Sequence, residues 1–199
     1  MSKLFFYDLE TTGLSSNAHG IHQLAGMIVI DNKIRQRFNF KIRPFEGAKI
    51  EESALNLSGV TKEQIEAYPP AQQVFPELIN LLSTYVDKFN KADKFHLVGY
   101  RIDSFDNEFL RKLFIQNGDQ FFGSWFWSDS IDLFSLSSFV LQEERASMEN
   151  FKLFSVAEQL GIPVDKGKLH DAEYDVFLTV QIYYKILHGT KGDLNNDRA

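Results

Sequence analysis

Lys3-Leu-Phe-Phe-Tyr-Asp-Leu-Glu-Thr-Thr-Gly13 is the stretch from which the rest of the chain is read. Residues 4–7 are an unbroken apolar run with turn residues not far behind, the pattern of a strand buried on both faces. Two carboxylates, Asp8 and Glu10, are set into its end. Side chains two apart on an extended strand point the same way, so the pair converges on one place. Two like charges drawn out of water side by side repel, and each also carries a desolvation penalty. A divalent cation bound by oxygen ligands relieves both. Two solvated acids in a loop are the plain alternative, and the remainder of the chain decides between them.

Outward from this strand, residues 21–30 (IHQLAGMIVI) form a second apolar strand, and Asp31-Asn32-Lys33 makes a turn. Phe38, Phe40 and Ile42 then alternate with Arg37, Asn39, Lys41 and Arg43, which is a strand with one buried and one wet face. The first three strands therefore read as an antiparallel meander, with the basic residues of the third on its solvated face. Pro44 ends it, and an irregular segment is expected as far as Gly59. Thr61 and Gln64 have the spacing of a capping box and start a short helix that stops before Pro69-Pro70. From Ala71 the apolar positions Val74, Phe75, Leu78, Leu82, Tyr85 and Phe89 predict a long amphipathic helix. Residues 95–99 follow as a fourth strand, parallel to the first.

Two further acids fall at structured places. A helix from about Phe105 carries the stripe Phe109, Leu110 and Leu113, and Asp106 opens that apolar face. Asp103 lies in the loop before it, where solvation is easy. The aromatic run at residues 121–127 reads as core packing, Ile131-Asp132-Leu133 as the start of a short strand or helix, and residues 143–150 as a polar loop. Residues 154–160 form a helix closed by Gly161 and Pro163. In His170-Asp-Ala-Glu-Tyr-Asp175, Asp171 is an N-cap and the helix after it buries Ala172, Val176, Val180, Tyr183 and Leu187. Asp175 lies next to that stripe, and His170 can reach the same place from the preceding loop.

Composition agrees with a folded protein. The 199 residues suit one domain, read as residues 1–188 with a polar tail from 189 to 199. Hydrophobic residues make up 44% and phenylalanine alone 19 positions, which excludes disorder. The absence of cysteine removes disulfides, thiolate metal sites and a cysteine nucleophile together. Asp8 interrupts the first apolar run too early for a signal-peptide core and no run is long enough to span a bilayer, so no membrane partner and a cytoplasmic location are expected. The net charge of −6 argues against a broad phosphate-binding surface. A nucleic acid partner would have to be held locally.

Asp8-x-Glu10, Asp106 after Phe105, and His170 with Asp175 together resemble the DEDDh 3′–5′ exonucleases, which include the proofreading epsilon subunit, RNase T and oligoribonuclease. The resemblance runs from about Leu4 to Leu187, with all three motifs in order. It implies a ribonuclease H-like fold, an α/β mixed sheet whose first three strands are antiparallel and the rest parallel, flanked by helices. It implies that Asp8, Glu10, Asp106 and Asp175 hold two Mg²⁺ or Mn²⁺ ions about 4 Å apart, and that His170 is the general base on the attacking water. By the same resemblance, Thr11 and Leu14 hold the terminal nucleotide and nucleoside 5′-monophosphates leave one at a time. This chain has Tyr100-Arg101 where relatives carry His-Asn, with one residue more before Phe-Asp. Asp106 is preferred as the middle ligand with Asp103 as the fallback, and Arg101 is a candidate phosphate contact.

The expected activity is therefore metal-dependent 3′–5′ exonucleolysis on single-stranded DNA or RNA ends, with a polymerase or repair partner left open. A catalytically silent binding module on the same fold, or a small-nucleotide phosphodiesterase, are the alternatives. All five polar residues are present, which weighs against a silent module.

Overall fold

A computed structural model describes residues 2–189 as a five-stranded mixed sheet with helices on both faces. The polar tail from Thr190 onward lies outside the described residues. β1 (Lys3–Thr11), β2 (Ile21–Ile30) and β3 (Lys33–Lys41) form the antiparallel meander. Asp31 and Asn32 turn between β2 and β3 with φ of 50° and 61°. Asn and Asp tolerate this left-handed backbone, and such a turn matches the twist of the strands it joins.

The segment read as irregular up to Gly59 in fact ends in a helix, α1 (Glu52–Ser58). It is short, has no side-chain cap and buries only Leu55, so it leaves no periodic trace in the sequence. α2 (Lys62–Glu66) begins at the Thr61–Gln64 capping box, with both reciprocal hydrogen bonds made. α3 (Ala71–Tyr85) buries Val74, Phe75, Leu78, Leu81 and Leu82. Phe89, expected on its stripe, is 86% exposed. The helix has already ended there: Val86 is extended, and the Asp87 side chain accepts from the Phe89 N–H to make a tight turn.

β4 (His96–Gly99) pairs parallel with β1, and after it come α4 (Asp106–Gln116) and α5 (Phe122–Trp125). β5 (Ile131–Asp132) adds a second parallel pair, giving the strand order β3-β2-β1-β4-β5. α6 (Leu133–Val140), α7 (Leu153–Gln159) and α8 (Ala172–His188) complete the chain. This is the expected arrangement, antiparallel through the meander and parallel beyond it.

The sheet divides the core by residue parity. Phe5, Tyr7 and Leu9 of β1 face a cluster with α3, α4 and α5, whereas Leu4 and Phe6 face one with α6, α7 and α8. The aromatic run behaves as core: Phe114 and Phe122 meet edge-on at 5.0 Å and Phe5 and Phe126 at 5.5 Å, while Phe121 stays 71% exposed. Each buried Phe contributes about 1.5–3 kcal/mol by area, and a well-set ring pair adds about 1 kcal/mol. α8 is buried more widely than one stripe, because the sheet lies on one side and α6 and α7 on the other. Leu178, Thr179, Ile182 and Tyr184 are buried, while Tyr183 is only half-buried and Leu187 is 53% exposed, contrary to the stripe read from the sequence. No helix among the described residues is long and apolar enough to cross a membrane.

Candidate active site

Asp8 and Glu10 continue the Leu4–Phe6 row of β1, so the alternation that buries Leu4 and Phe6 under the α6–α8 layer carries both carboxylates to the start of α8. There Asp175, in the first turn of α8, meets them: one carboxylate oxygen from each of Asp8, Glu10 and Asp175 lies within 4.8 Å of the others. Asp171 sets this turn by accepting from the N–H groups of Glu173 and Tyr174 at 3.0 and 3.2 Å.

Asp106 arrives from the opposite layer. β4 pairs with β1 only as far as Phe6 and Val98, so the end of β1 that carries Asp8 and Glu10 is open on that side. The buried carboxylate of Asp106 feels the Leu9 N–H, which lowers its pKa, and among the neighbouring charges its own weighs most on Asp8, although it stands outside the close group formed by Asp8, Glu10 and Asp175. Gly99 makes the crossing possible: a Cβ there would meet Ile102 Cγ2 at 2.2 Å and the Tyr7 carbonyl at 3.0 Å. Asp132 braces the turn before α4. Its Oδ1 accepts from the N–H groups of Arg101 at 3.1 Å and Phe134 at 2.8 Å, and its Oδ2 from that of Asp103 at 3.2 Å.

These four acids are strained as an ensemble. Burial, followed by the Asp106, Asp175 and Glu10 charges, pushes Asp8 well above the usual carboxylate range. Burial raises Glu10 to about 7, opposed by the Ser58 hydroxyl and reinforced by Asp175 and Asp171. Burial likewise takes Asp106 to about 7, against hydrogen bonds from its own N–H and that of Leu9. Asp175 also reaches about 7 through burial, with the His170 N–H opposing and Asp171 adding. Among the described residues, Asp175 Oδ1 is buried with no hydrogen-bond partner. A buried, unpartnered carboxylate oxygen beside two converging ones is the donor set that a hard divalent cation requires. The residues fit such an ion.

The other expected residues are placed as follows. His170 is exposed at the rim, with its backbone at φ 65°, and its N–H lowers the pKa of Asp175. Thr11 is buried and its hydroxyl donates to Gly13 O at 2.9 Å, while Leu14 projects at 80% exposure. The guanidinium of Arg101 lies 3.9 Å from the Phe134 ring centre, so its face is occupied by stacking. Asp103 is exposed and its carboxylate is taken up by Asn107 Nδ2 at 3.1 Å and by the Ser130 hydroxyl. Sequence reading missed Ser58, whose hydroxyl donates to Glu10 Oε2 at 2.5 Å, and Asp132. Neither stands in a motif, and each acts across a long sequence separation.

The exonuclease (RNase T) family model matches residues 5–183. The chain belongs to the exonuclease family. A ribonuclease T of Hahella chejuensis is 26% identical to this family member over 191 residues, spanning 92% of the chain and 83% of the relative. An epsilon subunit of DNA polymerase III from Aquifex aeolicus is 25% identical over 180 residues, 90% of the chain and 78% of the relative. A PolC-type DNA polymerase III of Mycoplasmopsis pulmonis is 25% identical over 89% of the chain, yet the chain spans only 11% of that polymerase. Among solved structures, E. coli exonuclease I in complex with a dT13 oligonucleotide shares the fold, with a TM-score of 0.73 and 20% identity over 93% of this chain and 41% of that one. The exonuclease family is divalent-metal dependent, in keeping with the acid cluster.

Proposed function

We propose that residues 1–188 act as a single exonuclease domain in the cytoplasm, shortening single-stranded nucleic acid from its 3′ end and releasing nucleoside 5′-monophosphates. The observation that carries this is the convergence of Asp8, Glu10 and Asp175 with one buried oxygen left unpartnered, in a chain of the exonuclease family. Family relatives named for ribonuclease T and the polymerase epsilon subunit, and the oligonucleotide held by exonuclease I, support a single-stranded substrate.

Asp8, Glu10 and Asp175 would hold divalent cations, two Mg²⁺ or Mn²⁺, with Asp106 completing the set beside Asp8. Bound there, the ions would neutralise charge on the phosphate and polarise it as Lewis acids. The remaining work falls to the chain. His170, exposed at the rim beside Asp175, would turn its imidazole inward and take a proton from the attacking water. The water oxygen bonds to phosphorus as the P–O3′ bond breaks, the nucleoside 5′-monophosphate leaves, and the O3′ of the shortened strand takes a proton from solvent to become a 3′ hydroxyl. Leu14 offers an exposed apolar side chain to the terminal base, and the buried Thr11 fixes the turn that presents it.

The test uses 5′-labelled single-stranded DNA and RNA of one sequence with Mg²⁺, Mn²⁺ or EDTA. A metal-dependent ladder shortening from the 3′ end is expected, and the faster polymer names the substrate class. Internal cuts, or no degradation by folded protein, would overturn the proposal.

A further inference from the structure

Among the four acids, Glu10 is singled out by a hydrogen bond from the side chain of another element. The Ser58 hydroxyl, at the end of α1, donates to Glu10 Oε2 at 2.5 Å and lies 3.3 Å from the Ala54 carbonyl one turn back. A hydroxyl has one proton, and it serves the shorter, charge-assisted contact. α1 itself buries only Leu55, so packing alone holds this helix weakly. What holds it is the turn between β1 and β2. Thr12 Oγ1 donates to Lys49 O at 2.6 Å, Lys49 N to Ala18 O at 2.7 Å and Glu51 N to Thr12 O at 2.8 Å, while His19 Nε2 faces Glu51 Oε1 at 3.0 Å. Immediately after Ser58 the chain turns away at Gly59, whose φ of 65° closes the helix. The hydroxyl is thus fixed from both ends of α1, against a carboxylate in the middle of the site.

We infer that Ser58 is a positioning residue: its hydroxyl fixes the plane of the Glu10 carboxylate and so presents it, preorganised, to the cation shared with Asp8 and Asp175. An unbraced glutamate side chain must give up rotamer freedom on binding the ion, whereas this one has already lost it. The inference rests on the metal-site reading above.

The test is Mn²⁺ binding to the full chain without nucleic acid, followed by titration calorimetry, for wild type, Ser58→Ala and Ser58→Thr. Loss of a residue that orients a metal ligand typically weakens binding by about 10- to 100-fold. That loss is expected for Ser58→Ala, with Ser58→Thr close to wild type because it keeps the donor. Turnover by Ser58→Ala should recover as Mn²⁺ is raised, which a merely structural defect would not show. Should Ser58→Ala lose the folded state, Ser58→Cys, similar in size with a weaker donor, is expected to bind Mn²⁺ less tightly than wild type. Equal Mn²⁺ affinity in wild type and in the folded Ser58→Ala or Ser58→Cys variant, or equal losses in Ser58→Ala and Ser58→Thr, would overturn the inference and leave the metal site standing. No Mn²⁺ binding by wild type would instead remove the metal-site reading itself.

Discussion

Removing one charge from the acid cluster should stabilise the metal-free protein, and Asp175→Asn isolates the effect. In the fold Asp175 holds its proton up to about 7, whereas in the unfolded chain it is released near 3.8. Between those two values the native state binds more protons than the unfolded state, so stability falls as pH rises, and the full penalty is present above pH 7. That difference corresponds to about 4 kcal/mol at pH 8. Asp175 is only partly buried, so solvent screening reduces this to about 2 kcal/mol. In a chain of this size, about 2 kcal/mol raises the melting midpoint by about 4–8 °C. The gain is reinforced because Asp175 is among the charges raising both Asp8 and Glu10. The assay is thermal unfolding in EDTA at pH 8, 6 and 4.5, with Asp175→Asn melting above wild type at pH 8 and the gap shrinking as pH falls. Adding Mn²⁺ at pH 8 should reverse the order, since stabilisation by a ligand grows with the logarithm of its affinity and wild type is expected to bind more tightly. A midpoint for Asp175→Asn at or below wild type in EDTA at pH 8 would refute the electrostatic account of the site.

The remaining predictions concern activity. Asp8→Ala should abolish degradation while the fold persists in EDTA, and full turnover by this variant would remove Asp8 from the site. His170→Ala should slow single-turnover hydrolysis by about 10²- to 10⁴-fold if its imidazole takes the proton; an unchanged rate would exclude it. Asp106→Asn should lose far more activity than Asp103→Asn, because Asp106 is buried and its charge weighs most on Asp8 while Asp103 is spent on Asn107 and Ser130. The reverse order would show that the middle ligand comes from the loop.

Much of the site was legible because local periodicity states which way a side chain points. Two-residue alternation in β1 placed Asp8 and Glu10 on one face, helical phase placed Asp106 inward, and the spacing of Asp171 from the apolar positions of α8 announced its cap. Antiparallel pairing of the first three strands followed from short links and turn residues. Periodicity does not state what stands opposite. Ser58 meets Glu10 across 48 positions, in a helix too short to repeat a pattern, and Asp132 reaches Arg101 across 31. The stacking of Arg101 on Phe134 and the burial of α8 beyond a single stripe likewise depend on how layers close over one another. The sequence by itself therefore determined most of the elements and the faces that carry Asp8, Glu10 and Asp106, since these are set by neighbours along the chain. Tertiary structure decided which oxygens converge, which one is left without a partner and which hydroxyl braces Glu10, since those depend on contacts that exist only once the sheet and both helical layers are assembled.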